Sequence, residues 1–123
     1  MRRRLIAKLR QSRTAPRVAR AQLADFDHGL PSRRLCDAEL LLTELVSNAV
    51  KYGGDGHIKV ILERDCGRFR GEVVDQGNGF TAMLGGHPDV GTPGGWGLPL
   101  VQKLSDRWGA YAGSTHVWFE FVL

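Results

Sequence analysis

The sequence lacks the features that mark membrane-spanning and secreted proteins. No apolar run approaches the ~20 residues that a membrane-spanning helix needs. The basic N-terminus, MRRRLIAKLRQSR, has no apolar core of the ~7–15 residues that a signal peptide carries. Only two cysteines occur, which suits a reducing compartment, and we expect Cys36 and Cys66 to be buried, inert thiols rather than a disulfide or redox pair. These absences favour a cytoplasmic protein.

Internal repeats, low-complexity tracts and metal-binding spacings are also missing. The four histidines are scattered, which favours structural or solvated roles over metal ligation. What remains is an average globular composition, with 42% hydrophobic and 24% charged residues in 123 positions. That length predicts one domain, residues 1–123, with a single core.

Positive charge is concentrated near the N-terminus. Residues 1–34 carry ten Lys/Arg against two Asp/Glu, whereas residues 35–123 carry seven against eleven. A basic segment can attract nucleic acid or an acidic protein surface. The arginines have no interleaved aromatic residues and match no recognition helix, so a solvated face or a protein-docking surface is favoured over direct nucleic-acid binding.

Apolar periodicity predicts the first half of the chain as a strand and two helices. The strand covers 2–9. A helix from Ala15 to His28 has Pro16 in its first turn, and Gly29 closes it in a left-handed conformation. Its apolar face would consist of Val18, Ala21, Leu23 or Ala24, and Phe26. The second helix starts at Ser32, ends at YGGDG, and buries Leu35, Ala38, Leu42, Leu45, Val46 and Ala49.

The second half reads as a hairpin, a loop, a helix and a last strand. HIKVILERD and FRGEVVDQG are two strands joined by DCG, a helix covers 98–108, and HVWFEFVL is the final strand. The order predicts an α/β (α+β) two-layer sandwich, a mixed β-sheet with helices on one face. The Gly- and Pro-rich loop 80–97 is 18 residues long, which is unusual in a small domain unless the loop is functional.

Two polar residues interrupt the apolar helix sequence LLTELVSNAV. Glu44 and Asn48 lie four positions apart, hence on one side of a helix, with Lys51 and Tyr52 one turn further on. An amide oxygen can bind Mg²⁺, a lysine can neutralise phosphate, and a carboxylate can orient or deprotonate a nucleophile. The alternative is that Glu44 and Asn48 simply face water.

A second polar segment, VVDQGNGF, follows an apolar strand. Asp75 at the end of that strand can accept a hydrogen bond from an exocyclic amine such as that of adenine. Gly77 and Gly79 would let the backbone approach a flat ring closely. By itself, this segment is equally consistent with an acidic strand end followed by a turn.

The third segment, GTPGGWGLPLV, places glycines 91, 94, 95 and 97 before a helix. Free N–H groups at a helix N-terminus favour anionic oxygens. The segment is not a Walker loop, since no G-K-[ST] follows, and no βαβ unit frames it as a dinucleotide fingerprint.

Together the three segments resemble the GHKL ATPase superfamily, which includes gyrase B subunits and sensor histidine kinases. ELVSNAVKY is similar to its N box, DQGNG to its G1 box and GGWGL to its G2 box, with 27 residues from Asn48 to Asp75 and 22 from Asp75 to Gly97. The resemblance covers nearly the whole chain and implies a Bergerat-type ATP-binding fold. It is closest to the small anti-sigma factor serine kinases, whose TELVSNAV, GLPLVQKLSDRWG and VWFEF phrases look much the same.

The resemblance implies a role for each candidate residue. Asn48 would ligate Mg²⁺ and Glu44 would be the general base, while Lys51 and Tyr52 match positions that touch phosphate and nucleotide. Asp75 would bind the adenine amine. Two sets of residues complete the pocket: Gly77 and Gly79 at the base, and Gly95, Gly97 and Leu98 at the hinge and phosphate-binding end of the ATP lid.

The chain departs from the family pattern in three respects. The small members usually have a basic residue where Trp96 stands, and no Lys or Arg occurs between Asp75 and Gly97. The lid therefore offers no charge to a developing γ-phosphate, which puts efficient phosphoryl transfer in doubt. The family often has a threonine before the terminal strand that reaches adenine through water; here Thr115 and His116 remain alternatives.

The function implied is that of an ATP- and Mg²⁺-dependent anti-sigma regulatory protein. By resemblance, such a protein sequesters a sigma factor and phosphorylates a serine or threonine on an anti-sigma antagonist. The oligomeric state stays open, a homodimer included. The alternative is a non-catalytic module that binds its partner under control of ATP, which Trp96 and the uncharged lid favour. A detached histidine-kinase catalytic domain is a third reading.

Overall fold

The computed structural model describes residues 2–52, 56–75, 97–110 and 116–123. Three helices are present in this part of the chain: α1 (Ala15–Asp25), α2 (Ser32–Tyr52) and α3 (Gly97–Leu104). Five strands accompany them: β1 (Arg3–Leu9), β2 (Ile58–Asp65), β3 (Arg68–Val74), β4 (Arg107–Ala110) and β5 (Val117–Val122). The expected α+β two-layer class is confirmed. None of the described helices combines the length and apolarity needed to cross a membrane.

The five described strands form one sheet in the order β1-β2-β3-β5-β4. Every pairing among them is antiparallel, where the sequence predicts a mixed sheet. Strand β4 is the element that the sequence analysis missed. The helix predicted over 98–108 ends at Leu104, because the N–H of Asp106 donates to the carbonyl of Glu120 at 3.0 Å and the chain then pairs with β5.

Alternation along the strands separates an apolar face from a polar one. The apolar face belongs to one hydrophobic core that also contains residues of α1, α2 and α3, so the helices pack on this side, as expected. Phe69, Phe119 and Phe121 are its largest fully buried side chains. Each buried aromatic of this kind contributes about 1.5–3 kcal/mol, which makes the centre of the sheet the most strongly held part of the fold.

We call the other side of the sheet the outer face. Five charged residues lie opposite one another across the five strands of this face, in the order Arg4, Glu63, Arg70, Glu120 and Arg107, and Glu72 follows Arg70 by two positions on β3. Glu72 and Glu120 are buried there, and arginines neutralise them: the Nε of Arg70 lies 2.8 Å from Glu72, and Arg107 lies 3.9 Å from Glu120. The outer face is thus a network of ion pairs within the chain.

Helix α1 buries only part of the predicted face, since Leu23, and Phe26 directly after the helix, are buried as predicted. Its buried residues are Ala15, Ala19 and Leu23, whereas Val18 and Ala21 of the predicted apolar face are exposed. The helix also ends at Asp25, before His28, because Phe26 takes an extended conformation and packs against Phe69, with ring centroids 6.5 Å apart. Gly29 has the expected left-handed φ of 66°, but it lies in the loop that follows the helix.

Helix α2 agrees with the sequence prediction. It runs from Ser32 to Tyr52, and the predicted core positions Ala38, Leu42, Leu45, Val46 and Ala49 are all fully buried or nearly so, whereas the predicted Leu35 is only half-buried. The expectation of buried thiols is wrong, however. Cys36 on α2 and Cys66 in the β2–β3 turn are both exposed, and neither forms a disulfide.

The predicted hairpin is confirmed. Strands β2 and β3 pair from Lys59 opposite Val74 to Asp65 opposite Arg68. The tight turn between them needs a positive φ, which Gly67 supplies at 126°, and its N–H donates to the carbonyl of Asp65 at 2.8 Å.

Candidate functional site

The polar residues of α2 differ sharply in exposure. Asn48 is 0% exposed among the core residues of the helix, Glu44 one turn earlier is half-buried, and Lys51 is exposed. A spacing of four residues puts Glu44 and Asn48 on one side of the helix, about 6 Å apart along its axis. The simple alternative, in which both side chains face water, is therefore wrong for Asn48.

Two side-chain amides in the described part of the chain, those of Gln11 and Asn48, have buried atoms without a hydrogen-bond partner, and of these two residues only Asn48 is fully buried. Neither its Oδ1 nor its Nδ2 has a hydrogen-bond partner among the described residues. Burying such a group without a partner costs about 1–3 kcal/mol, and buried amides in folded proteins are rarely left in that state. A residue kept there at that cost points to a ligand-binding role.

Asp75 lies at the end of β3 on the helix-facing side of the sheet. It follows Val74 directly, and the pairing of Val74 with Lys59 brings Asp75 level with Ile58, the fully buried first residue of β2. Side chains two positions apart share a face, so Asp75 continues the face of Val73. The carboxylate is 8% exposed, in agreement with the predicted position at the end of a buried strand.

Asn48 and Asp75 therefore belong to the same layer of the protein. α2 packs directly on β3 and β2, Asn48 is fully buried on α2, and Asp75 lies on the side of the sheet that faces the helices. They come from elements that are 27 positions apart in the sequence, and the fold brings a buried amide and a buried carboxylate to one side of the sheet.

Several predicted site residues fall outside the described residues. These are Gly77, Gly79, Gly95, Trp96 and Thr115. Gly97 and Leu98 are the first two residues of α3, in agreement with a glycine-rich segment that leads into a helix N-terminus. Tyr52 is the last residue of α2.

His116 is turned away from this layer. Its Nε2 hydrogen-bonds the carboxylate of Glu72, which lies on the outer face. The other oxygen of Glu72 accepts from the Nε of Arg70 at 2.8 Å, and the guanidinium of Arg70 stacks on Trp118 at 4.3 Å from the ring centroid. The sequence analysis missed this cluster, although strict alternation from the buried Val117 would have assigned His116 to the outer face.

Concave regions also occur elsewhere on the described surface. One, of about 440 Å³, is lined by Arg2, Glu63, Arg64, Asp65, Arg68, Arg70, Glu72 and Glu120. It surrounds the hairpin end of β2 and β3, at the opposite end of β3 from Asp75. Its acidic and basic side chains neutralise each other, as in the ion pair of Arg2 with Glu63 at 2.6 Å, so it lacks the buried, unpartnered polar group that distinguishes Asn48.

Residues 5–121 match a protein family described as the histidine kinase-like ATPase domain. The chain belongs to this family. The fold agrees: the RsbU and RsbW domains of Rv1364c from Mycobacterium tuberculosis superpose with a TM-score of 0.70, at 24% sequence identity. That match covers 98% of this chain but 32% of the other, so the chain corresponds to about a third of that protein's structure. No curated protein matches this chain.

Membership of the histidine kinase-like ATPase family implies ATP as the ligand. The described residues contain no cluster of three or more His, Cys, Asp or Glu side chains that could hold a metal ion by themselves. A nucleotide-bound Mg²⁺ does not need such a cluster, because it takes one or two protein oxygens and fills its remaining positions with water and phosphate oxygens. The buried amide oxygen of Asn48 fits that requirement.

Proposed function

We propose that residues 1–123 form one ATP-binding regulatory domain of the anti-sigma kinase type, which binds Mg·ATP between α2 and the sheet. The observation that carries the proposal is the amide of Asn48, which is 0% exposed and has no hydrogen-bond partner among the described residues. An amide oxygen on Mg²⁺ would regain the lost interaction, and the family match supplies the identity of the nucleotide.

The other residues take roles that follow from their chemistry and position. Asp75, buried at the end of β3, accepts the hydrogen bond of the adenine amino group, and Gly77 and Gly79 let the base approach the backbone. Lys51, exposed at the end of α2, neutralises phosphate charge together with Tyr52. Gly95, Gly97 and Leu98 bind the phosphates at the start of α3, where free N–H groups meet anionic oxygens.

Glu44 is the candidate catalytic residue. It is half-buried one turn before Asn48, so its carboxylate can accept the proton of a substrate hydroxyl that attacks the γ-phosphate. When bound, Mg²⁺ supplies neutralisation of the phosphate charge. Residues of the chain take the other two roles: Asp75 orients the base and Glu44 activates the hydroxyl.

The partners follow from the resemblance of the sequence to anti-sigma factor kinases. We expect the protein to sequester a sigma factor and to phosphorylate a serine or threonine of an antagonist protein. The phrases TELVSNAV, GLPLVQKLSDRWG and VWFEF support this assignment over other members of the family.

A calorimetric titration of Mg·ATP tests the proposal. The comparison uses wild-type protein, Asn48→Ala, and Ser47→Ala as a control on the neighbouring position of the same helix. We expect wild type and Ser47→Ala to bind alike and Asn48→Ala to lose binding while keeping its circular dichroism spectrum. Equal affinity in all three proteins removes Asn48 from the site, and absence of binding to wild type ends the proposal.

A second function has one specific observation in its favour. No Lys or Arg occurs between Asp75 and Gly97, and Trp96 stands where a basic residue is usual, so this segment offers no lysine or arginine charge to a transferring phosphoryl group. The domain would then bind ATP and its partner without phosphorylating it. Incubation with labelled ATP and co-purified partners, followed by phosphosite mass spectrometry, separates the two functions.

A further inference from the structure

Arg34, in the first turn of α2, contacts the end of α3 and the strand next to it. Its Nη1 donates to the carbonyl of Leu104 at 3.0 Å, and its Nη2 donates to Oδ2 of Asp106 at 2.8 Å. The guanidinium lies 4.5 Å from the ring centroid of Phe121, and Asp37 one turn along α2 approaches Nη1 at 3.5 Å. One side chain therefore joins α2, α3 and β5.

Arg34 provides a hydrogen-bond donor to a backbone carbonyl that has no partner within α3. The last carbonyls of an α-helix have no partner within the helix, and a cation nearby is favoured because it opposes the negative end of the helix dipole. In α3 the carbonyl of Val101 accepts from the N–H of Ser105 at 3.0 Å, and that of Leu104 accepts from Arg34. Asp106 is itself held from a second side, since its Oδ2 accepts the N–H of Val122 at 2.7 Å.

The position of α3 depends on such contacts because the helix is short. It has eight residues, whereas isolated helices below about 12–15 residues are only marginally stable in water. Val101 is fully buried in the core and Leu100 and Leu104 pack against it, and the bonds to Arg34 add polar contacts at the C-terminal end of the helix. At a rise of about 1.5 Å per residue, the eight residues of α3 span only about 12 Å. A shift of the helix at Leu104 therefore displaces Gly97 as well.

We propose that Arg34 is a positioning residue for the phosphate end of the nucleotide, an inference that rests on the proposed function. By bonding the C-terminal end of α3 to α2, Arg34 sets where the first residues of α3 lie relative to Asn48 on the same α2. Asp75 stands at the end of β3, an interior strand, whereas Arg34 bonds Leu104 and Asp106 and stacks on Phe121, so we expect recognition of the base not to depend on Arg34.

The test separates phosphate binding from base binding. ATP, ADP and adenosine are titrated into wild type, Arg34→Ala and Arg34→Lys, and amide hydrogen exchange of α3 is measured without nucleotide. Arg64→Ala is the matched control, because Arg64 is also a partly buried arginine that bonds a carboxylate, Asp27 at 3.2 Å, but lies on β2 near the hairpin turn. Asp106→Asn is used in place of Arg34→Ala if the alanine variant does not fold.

We expect Arg34→Ala to bind ATP about tenfold more weakly while its adenosine affinity stays within about twofold of wild type. Arg34→Lys keeps one of the two bonds and should lose less. Faster exchange of the α3 amides should accompany the loss, and Arg64→Ala should show neither effect.

Equal losses of ATP and adenosine affinity, or unchanged α3 exchange in Arg34→Ala, overturn the inference. It also fails if Arg64→Ala loses ATP affinity as strongly as Arg34→Ala. If wild type binds ATP and Arg34→Ala binds it with the same affinity, this inference fails but the proposed function stands. Wild type that binds no nucleotide defeats the proposed function, and the positioning role with it.

Discussion

His116 and Glu72 are bonded to each other on the outer face of the sheet, on the side opposite to Asn48 and Asp75. The sequence analysis left His116 and Thr115 as alternatives for a water-mediated contact with adenine. The bond to Glu72 removes His116 from that role, because its imidazole lies on the far side of a sheet whose interior is filled by phenylalanine rings. Thr115 lies outside the described residues and stays the remaining prediction.

His116→Ala should therefore leave nucleotide binding intact. We expect its dissociation constant for Mg·ATP to stay within about twofold of wild type, and its free energy of unfolding to fall by about 1 kcal/mol, since one hydrogen bond to the buried Glu72 is lost while that from Arg70 remains. Calorimetry and urea unfolding measure the two quantities. A tenfold or larger loss of ATP affinity would contradict the assignment of His116 to the outer face.

Glu44→Ala should separate nucleotide binding from phosphoryl transfer. Removal of the carboxylate one turn before Asn48 leaves the amide and Asp75 in place, so the affinity for ATP should change by less than about threefold. Transfer to a partner should fall at least about 100-fold if Glu44 is the base. Labelled ATP measures the transfer, and Glu39→Ala, on the same helix but a full turn earlier, is the control. Equal rates in both variants would exclude Glu44 as the base.

The sequence predicted most of the fold because its long elements have strong apolar periodicity. α2 buries five of its six predicted core residues completely or nearly so, with Leu35 half-buried, and the β2–β3 hairpin forms around Gly67 as the DCG turn indicates. β4 escaped prediction because RWGA has only four residues and follows a helical pattern without a break. The contacts that define β4 are made with another strand: Trp108 pairs with Phe119, and the N–H of Asp106 bonds to the carbonyl of Glu120. A short sequence window does not contain both partners.

For the candidate site, the sequence identified the polar residues but not their burial. Glu44 and Asn48 are equivalent in a helical pattern, yet the structure leaves Glu44 half-buried and buries Asn48 completely. That difference arises from the tertiary packing of α2 against the other helices and the sheet, which a local sequence pattern does not contain. The hydrogen bonds of Arg34 could not be predicted from the sequence either, because their acceptors lie 70 and 72 positions away.

Gly71→Ala should destabilise the centre of the sheet. A Cβ at this position would lie 2.5 Å from the tip of the Phe119 ring, which is fully buried between neighbouring aromatic rings and cannot move aside. Overpacking of this kind costs about 1–3 kcal/mol. Chemical denaturation measures the loss, with Val122→Ala, on an exposed position of β5, as a control that should change stability by less than about 0.5 kcal/mol. Similar stability of Gly71→Ala and wild type would show that the ring can yield.

Matched substitutions on α1 test which face of this helix is buried. Ala19 is 0% exposed in the core, whereas Ala21 on the same helix is exposed, although the sequence pattern assigned Ala21 to the buried side. Ala19→Glu and Ala21→Glu introduce the same side chain with the same helix propensity, so only burial distinguishes them. A carboxylate forced into the core at position 19 should lower the free energy of unfolding by more than about 3 kcal/mol or prevent folding, and at position 21 by less than about 0.5 kcal/mol. Urea unfolding followed by circular dichroism measures both, and the reverse ranking would restore the predicted face and place α1 in a rotated orientation against α2 and β1.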